Sequence, residues 1–307
     1  MPGAGPHRQG LAVLLLVTVV WGTTFPAMKV LSGPFGALEI ILLRFLIASV
    51  VLLPLLRGLS WAELRWGALI GGVLFCAFYL QVAGLARTSS NRNAFVTGLN
   101  VLMVPMLAYL MGQRMRWPVL LGAVLAVFGL GGMFYEQAPW SVGDTLTLAG
   151  AFVYAIYVLL FEFSAKAGTA PRPARLAVVQ SLCMLLLSTL GFTVLESASW
   201  GSLWLRAQEH SASLLYLGLL ASALMVWLQA WGQHRVRAVE AAIIFGLEPV
   251  FASLTALWWI NETLGGRALL GGALIVAGVL FSQIKAAADP AGRALRKALP
   301  AGDSAHG

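Results

Sequence analysis

The stretch GALEIILLRFLIASVVLLPLL, residues 36–56, is apolar along almost all of its 21 residues. An α-helix rises about 1.5 Å per residue, so roughly 20 apolar residues cross a hydrocarbon core of about 30 Å. Similar runs recur along the 307-residue chain, which is 59% hydrophobic and only 10% charged. A soluble domain carries about 25% charged residues, so this composition does not suit a water-soluble fold. The sequence therefore predicts a protein that crosses a membrane many times.

Apolar length, with Gly, Pro and charged residues marking the ends, predicts an all-α polytopic membrane protein of ten transmembrane helices. The longest polar connection, residues 136–144, divides the spans into five and five, and an odd number per half makes the halves inverted repeats. We expect one five-helix repeat at residues 10–134 and the other at 145–285. The predicted spans are 10–29, 36–56, 66–86, 94–112, 117–134, 145–165, 174–195, 212–233, 240–260 and 266–284.

The distribution of Lys and Arg predicts the orientation. With a cytoplasmic N-terminus, fourteen of the 20 basic residues fall in cytoplasmic segments and five in segments on the other side, while Arg44 lies inside a span. Cytoplasmic loops carry the excess of basic residues, so both termini are expected in the cytoplasm of a bacterial inner membrane. Residues 286–307 are expected to form a disordered, basic cytoplasmic tail.

Charge and motif content argue against several classes of function. The net charge is +8, but the basic residues are scattered singly, which does not favour nucleic-acid binding. Cys76 and Cys183 lie in separate apolar runs, so neither a metal site nor a disulfide is indicated. The sequence has no Gly-x-x-x-x-Gly-Lys-Ser/Thr pattern, which argues against ATP-driven pumping. The expected partners are the lipid bilayer and a small-molecule substrate, with no cofactor or metal, and a homodimer is left open.

Two pairs of motifs repeat between the halves. Leu121-Gly122-Ala123 with Gly129 recurs 149 residues later as Leu270-Gly271-Gly272 with Gly278. Small residues at this spacing let helix backbones approach closely in a membrane. The second pair is Gly98-Leu99-Asn100 and Gly246-Leu247-Glu248. The repeats indicate that one half is a duplicate of the other.

A set of ordered motifs resembles the EamA-type transporters of the drug/metabolite transporter superfamily. WGTTFPAMK (21–29) resembles the family's first helix, LRF (43–45) its second, and AFVTGL with VP (94–105) its fourth. LEPVFA (247–252), with NETL and LGGA (261–273), resembles its ninth and tenth helices. The resemblance covers about residues 10–285. It implies a secondary transporter of amino acids, other metabolites, nucleobases or drugs, whose first and sixth helices face each other across a central cavity. The first half departs from the second, because Asn100 and Gln113 stand where the second half has Glu248 and Glu262.

Two charged residues lie deep in predicted spans. A charge near the bilayer centre costs at least about 2.5–3.5 kcal/mol, so each needs a partner or a function. Arg44 and Glu248 each lie eight residues into spans that enter from opposite faces, which puts them about 6 Å apart in depth. They could form a structural ion pair, or Arg44 could bind backbone carbonyls while Glu248 binds donors at a helix end. Alternatively, Glu248, beside the helix-breaking Pro249, could couple protons or contact substrate.

We expect solute to bind near the bilayer midplane, in a cavity that faces both halves and opens to each side in turn. Proton-coupled export is one form that such alternating access could take. The predicted lining combines aromatic rings with a few polar groups: Trp21, Thr24, Tyr79, Asn100, Tyr157, Trp227 and Glu248.

Two other classes of function are kept as alternatives, an intramembrane enzyme and a structural membrane protein without transport activity. The enzyme is disfavoured because all four histidines fall at span ends or in tails, and no nucleophile lies at helical spacing from a base. A structural protein would need a large interaction domain outside the membrane, which the sequence does not contain.

Overall fold

The computed structural model describes residues 5–113, 117–133, 139–169, 171–195, 199–259 and 266–284, and every element in these ranges is helical. The first half contains α1 (Gly5–Leu31), α2 (Ala37–Leu52, extended by a 3₁₀ turn, Leu53–Leu56), α3 (Trp61–Leu85), α4 (Ser90–Gly98), α5 (Asn100–Leu110) and α6 (Trp117–Met133). The second half contains α7 (Val142–Lys166), α8 (Pro173–Leu195), α9 (Trp200–Glu209), α10 (Ser211–Leu215), a π-helical segment (Tyr216–Leu224), α11 (Met225–Gln233), α12 (Ala238–Phe245), α13 (Glu248–Trp259) and α14 (Gly266–Ile284). The predicted tail, residues 286–307, and Glu262 lie outside the described residues.

In the described part of the chain, eight helices or joined helix pairs are long and apolar enough to cross a membrane. Two shorter apolar helices, Trp117–Gly132 and Leu269–Phe281, accompany them. The protein is therefore an all-helical, multi-pass membrane protein. The count of ten spans includes the two shorter helices and stays a prediction.

The helix termini collect at two ends of the bundle. At one end, the Lys29 ammonium donates to the carbonyls of Leu85 and Thr88, at 2.9 and 2.7 Å, where α1 and α3 finish. At the other end, His7 lies 3.0 Å from Glu240 Oε2, where α1 and α12 begin. We call these the Lys29 end and the His7 end.

Four helices begin with the same capping device. In α2, α3, α7 and α12, the carboxylate three residues after the cap accepts the backbone N–H of the cap residue, at 2.7–3.1 Å. This bond satisfies a donor at a helix start, where intrahelical partners are missing. Each of these carboxylates also pairs with a basic side chain from another helix: Glu39 with Arg206, Glu63 with Arg175, Asp144 with Arg92, and Glu240 with His7.

The fourth and ninth predicted spans are both broken helices. The interruption of the ninth agrees with the expectation from Pro249. The fourth predicted span, 94–112, overlaps the apolar segment Ser90–Leu110, and its break, where α4 ends at Gly98 and α5 begins at Asn100, was not predicted. The two breaks lie against each other. A Cβ on Gly98 would lie 2.9 Å from Pro249 Cγ, and one on Gly246 would lie 3.3 Å from Val101 Cγ2.

The repeated glycines place α6 directly against α14. A Cβ on Gly129 would lie 2.5 Å from Gly271 O, and one on Gly278 would lie 2.6 Å from Gly122 O. Real Cβ atoms do not approach backbone oxygens this closely, so glycine is required at this crossing. The predicted close approach of helix backbones is confirmed here.

Candidate substrate cavity

A cavity lies among the helices, with about 490 Å³ of empty space when its open side is included. Small-molecule sites usually combine apolar walls with a few polar groups. The lining residues come from six helices: Trp21, Thr24, Phe25, Met28, Arg44, Ala77, Phe78, Gln81, Thr97, Gly150, Ala151, Tyr154 and Glu248.

The cavity lies in the half of the bundle near the Lys29 end. Its lining residues on α1 and α3 come from the second half of each helix, and those on α7 come from the first half. Gly22 allows α1 and α13 to approach closely, because a Cβ at this position would lie 2.5 Å from Phe251 Cβ and 3.0 Å from Glu248 O. The helix carrying Trp21 and Thr24 therefore packs directly on the helix that begins at Glu248.

Arg44 is held without a carboxylate partner among the described residues. It is 1% exposed, and its Nε donates to Ser222 Oγ at 2.8 Å while its Nη1 contacts Met28 Sδ at 3.3 Å. The guanidinium carbon lies 5.0 Å from the ring centre of Phe78 and 5.5 Å from that of Phe45. Such cation–π contacts attract a cation but leave its charge uncompensated. Its Nη2 has no hydrogen-bond acceptor within the described part of the chain.

Glu248 is the other charged residue in the cavity wall. It is the first residue of α13, directly after the helix break, and it is 8% exposed. No side-chain hydrogen bond or ion pair to its carboxylate exists within the described ranges. Its position at a helix N-terminus is favourable for an anion, since the first backbone N–H groups of a helix carry partial positive charge.

The ion pair suggested for Arg44 and Glu248 is not formed in the structure. Both side chains line the same cavity, but no nitrogen of Arg44 lies within 4.0 Å of the Glu248 carboxylate. Arg44 bonds instead to Ser222, a hydroxyl that the π-helical segment provides. The cavity therefore contains a buried cation and a buried carboxylate that do not neutralise each other directly.

A buried polar network lies on the His7 side of the cavity. Tyr157 OH donates to Gln229 Oε1 at 2.7 Å and lies 3.3 Å from Gln180 Oε1. Gln229 Nε2 donates to Gln233 Oε1 at 2.8 Å and more weakly, at 3.4 Å, to Tyr154 OH. The network joins α7, α8 and α11 and closes the bundle below the cavity wall at Tyr154.

Three of the seven predicted lining residues lie in the cavity wall, namely Trp21, Thr24 and Glu248. Tyr157 lies one layer deeper, in the polar network, and is fully buried. The remaining three lie outside the lining: Tyr79 stacks on Phe75 with ring centres 6.2 Å apart, Asn100 is buried at the first helix break, and Trp227 is 37% exposed. A binding role for any of the seven stays a prediction.

Several lining residues were not predicted. Gln81 and Thr97 form one polar wall through a 3.1 Å hydrogen bond, and Phe25, Met28 and Phe78 form an apolar wall. Helical spacing gives a usable signal for two of them, because Phe25 and Met28 lie four and seven residues after Trp21 on one face of α1. The sequence contains no comparable signal for Thr97, whose position depends on the unpredicted break after Gly98.

The sequence matches one family twice, the EamA-like transporter family, over residues 8–135 and again over residues 141–283. The chain belongs to the EamA-like transporter family. The resemblance carried by the motifs is therefore confirmed, and this EamA-like protein is a membrane transporter of small metabolites rather than an enzyme.

Similar curated proteins cover nearly the whole chain. An "Uncharacterized transporter" of Archaeoglobus fulgidus is 26% identical over 277 residues, covering 89% of this chain and 85% of its own length. A "Probable terminal-alkyne amino-acid exporter" of Streptantibioticus cattleyicolor is 29% identical, covering 87% and 91%. A "Probable amino-acid metabolite efflux pump" of Escherichia coli is 27% identical, covering 90% and 95%.

A solved crystal structure of another protein shares the fold of this EamA-like transporter. It superposes with a TM-score of 0.69 at 21% sequence identity, covering 91% of this chain and 98% of that one. The architecture described above is therefore found in an experimentally determined protein structure.

Proposed function

We propose that this transporter exports an amino acid with an apolar or aromatic side chain, in exchange for a proton, by alternating access. The observation that carries the proposal is the cavity wall, in which Arg44 and Glu248 are buried without pairing to each other. An amino acid carries one charge of each sign, so its carboxylate would pair with Arg44 and its ammonium with Glu248. The surrounding rings of Trp21, Phe25, Phe78 and Tyr154 suit an apolar side chain.

The names of two relatives support an amino-acid substrate and the direction of transport. One is called a terminal-alkyne amino-acid exporter and the other an amino-acid metabolite efflux pump, and both align with most of this chain. The chain shares their family and supplies the two charges that a zwitterion needs. The identity of the side chain is inferred from the aromatic wall alone.

Proton exchange follows from the chemistry of Glu248. A carboxylate cannot hold a proton and pair with an ammonium group at the same time, so solute and proton would compete for it. In the proposed cycle, Glu248 holds a proton while the cavity contains no solute and loses it when the ammonium group arrives. Solute binding would therefore release the proton, and solute release would allow the proton to return.

Alternating access would use two inverted five-helix halves, residues 10–134 and 145–285. Three pairs of contacts support this proposal, because the two contacts of each pair join equivalent residues of opposite halves. Gly129 contacts Gly271, and the equivalent contact joins Gly278 and Gly122. The other pairs are Gly98–Pro249 with Gly246–Val101, and Gly143–Arg87 with Gly10–Arg235. The double match to one family, at 8–135 and 141–283, supports the same division.

The orientation can be tested separately from the substrate. We expect ten spans with both termini in the bacterial cytoplasm, so a cysteine placed at residue 140 should react with a membrane-impermeant maleimide added outside intact cells. A label that reaches residue 140 only from the cytoplasmic side would contradict both the orientation and the inverted halves.

The substrate proposal is tested with three solutes of one shape. L-Phenylalanine carries both charges, phenethylamine lacks the carboxylate, and 3-phenylpropionate lacks the ammonium. In proteoliposomes, we expect counterflow of L-phenylalanine and at least about tenfold weaker competition by each one-charge analogue, since a lost buried ion pair is worth 2 kcal/mol or more. Arg44→Met should remove the advantage of L-phenylalanine over phenethylamine. Equal competition by all three solutes would contradict the proposal.

A further inference from the structure

The helix formed by α10 and α11 contains a π-helical segment, Tyr216–Leu224. At its end the backbone N–H of Met225 donates to Leu220 O, five residues back, and to Ser222 O, but not to Ala221 O as in an α-helix. Short π-helical turns are rare and are found frequently at functional sites. The equivalent helix of the first half, α3, is a regular α-helix from Trp61 to Leu85.

Two adjacent residues of this segment both bind side chains of the cavity wall. Ala221 O accepts the indole N–H of Trp21 at 3.0 Å, and Ser222 Oγ accepts Arg44 Nε at 2.8 Å. Ala221 and Ser222 are both fully buried. One unusual stretch of backbone therefore holds an aromatic ring from α1 and the buried cation from α2.

We infer that Ser222 is a positioning residue for Arg44, and that the π-helical register of residues 216–224 places it there. The inference rests on the proposed function, in which Arg44 binds the carboxylate of the solute. Fixing Nε on Ser222 sets the plane of the guanidinium, so that Nη2 is left without a protein acceptor. A flexible arginine in a cavity would otherwise have to be ordered by the solute itself, which weakens binding.

The π-helical register determines the direction in which residues 221 and 222 point. Successive residues of an α-helix are about 100° apart around the axis, since there are 3.6 residues per turn. A π-helical segment contains an extra residue relative to an α-helix, so removing one residue would restore the α-helical register and change the directions in which residues inside the segment point. Ser222 Oγ and Ala221 O could then not both remain on the partners that they have now.

The chain provides a matched control for Ser222. Ser49 lies on α2, the helix that carries Arg44, and is 3% exposed. Its hydroxyl has no hydrogen-bond partner in the described part of the protein. Ser49→Ala and Ser222→Ala therefore remove the same buried group, but only the second removes a contact to Arg44.

The experiment measures binding of L-phenylalanine and of phenethylamine to the full-length protein in detergent. We expect Ser222→Ala to reduce the preference for L-phenylalanine about tenfold, which corresponds to about 1.4 kcal/mol for a hydrogen bond to a charged group. Ser222→Thr, which keeps the hydroxyl, should restore the preference to within about twofold, and Ser49→Ala should leave it unchanged. If Ser222 had a purely structural role, Ser222→Ala would weaken the binding of both ligands by the same factor. Equal losses of affinity for the two ligands would therefore overturn the inference.

Deleting Leu220 provides a second variant that tests the register itself. We expect the deletion to remove the preference for L-phenylalanine as Ser222→Ala does. If Arg44→Met removes the preference while both the Leu220 deletion and Ser222→Ala retain it, this inference is wrong and the proposed function stands. If Arg44→Met retains the preference, or the unmodified protein binds no L-phenylalanine, the proposed function itself is wrong.

Discussion

The break between α4 and α5 can be compared residue by residue with the break between α12 and α13. Leu99 N–H donates to Val96 O at 3.2 Å, and Leu247 N–H, 148 residues later, donates to Ile244 O at 3.0 Å. Beyond each break the pattern continues: the N–H groups of Met103 and Phe251 donate to the carbonyls of Leu99 and Leu247. The backbone of the two breaks is thus hydrogen-bonded in the same way.

The side chains at the two breaks differ. The second helix of the pair begins with Asn100 in the first half and with Glu248 in the second, and only Glu248 lies in the cavity wall. Only the second break has a proline at its second helical position, since Val101 stands where the second half has Pro249. This helix break therefore forms with or without a proline. The two breaks have the same backbone shape, but only the second places a charged residue in the cavity wall.

The largest expected effect comes from removing the charge that distinguishes the halves. Glu248→Gln should reduce transport of L-phenylalanine about 100-fold, because the solute ammonium would then be buried without a counter-charge. Adding Asn100→Asp to this variant should not restore transport, because Asn100 lies outside the cavity lining. Initial rates in proteoliposomes measure both effects. Full rescue by Asn100→Asp would mean that the two breaks are interchangeable.

The crossing of α6 and α14 depends on close packing between backbones, so equivalent substitutions in the two halves should lower stability by similar amounts. Gly129→Ala and Gly278→Ala each place a Cβ within 2.6 Å of a backbone oxygen on the opposite helix. We expect each to destabilise the protein by about 2–3 kcal/mol, as overpacking does, with the two values agreeing to about 0.5 kcal/mol. Gly131→Ala, which meets no atom within 4 Å, is the control and should not destabilise. Unequal losses in thermal unfolding would argue against equivalent crossings.

The ends of α3 and α11 should differ in their response to acid. Burial, assisted by the positive charge of Arg235, lowers the pKa of His234 to about 4, whereas Ala86 occupies the matching end of α3. The unfolded chain binds this proton near pH 6.5, so stability from the neutral ring is present above pH 6.5 and is lost toward pH 4. His234→Gln should reduce the loss of stability between pH 7 and 5 by on the order of 1–2 kcal/mol. If His234→Gln lost as much stability between pH 7 and 5 as the unmodified protein, the neutral ring of His234 would not be buried.

The smallest effect is expected at Pro249. If the proline caused the break, Pro249→Ala would straighten α12–α13 and move Glu248 away from the cavity. Because the first half forms the same break without a proline, we expect Pro249→Ala to lower stability by only about 1 kcal/mol. Binding of L-phenylalanine should stay within about threefold of the unmodified protein. A loss of binding as large as that of Glu248→Gln would show that the proline maintains the site.

Much of the fold follows from apolar length, since a membrane helix leaves few alternatives for a run of 20 apolar residues. The predicted tenth span, 266–284, coincides with α14, and the glycine spacing correctly predicted a close helix crossing. The break at Leu99 was missed because no proline lies at this break in its own sequence. Helix α9 was missed because residues 200–209 are too short and too polar to be a predicted span.

The site was less predictable than the fold. A polar residue inside a span indicates a special role, and this signal singled out Arg44 and Glu248, which both line the cavity, although only Glu248 was predicted there. Trp227 was misplaced because the aromatic character of a residue does not say which helix face points to lipid, and 37% of it is exposed. The partner of Arg44 was unpredictable for a different reason. The π-helical register determines which way Ser222 points, and no pattern in residues 216–224 predicts that register.

Competition between the proton and the solute ammonium for Glu248 can be measured as proton release on solute binding. Full-length protein is kept in detergent and weak buffer with a pH-sensitive dye. It is mixed with saturating L-phenylalanine at several pH values between 6 and 8. Competition between proton and ammonium for Glu248 predicts release of up to about one proton per bound solute from the unmodified protein, and none from Glu248→Gln. Stoichiometric binding without proton release at any of these pH values, or the same release from Glu248→Gln, would contradict the account.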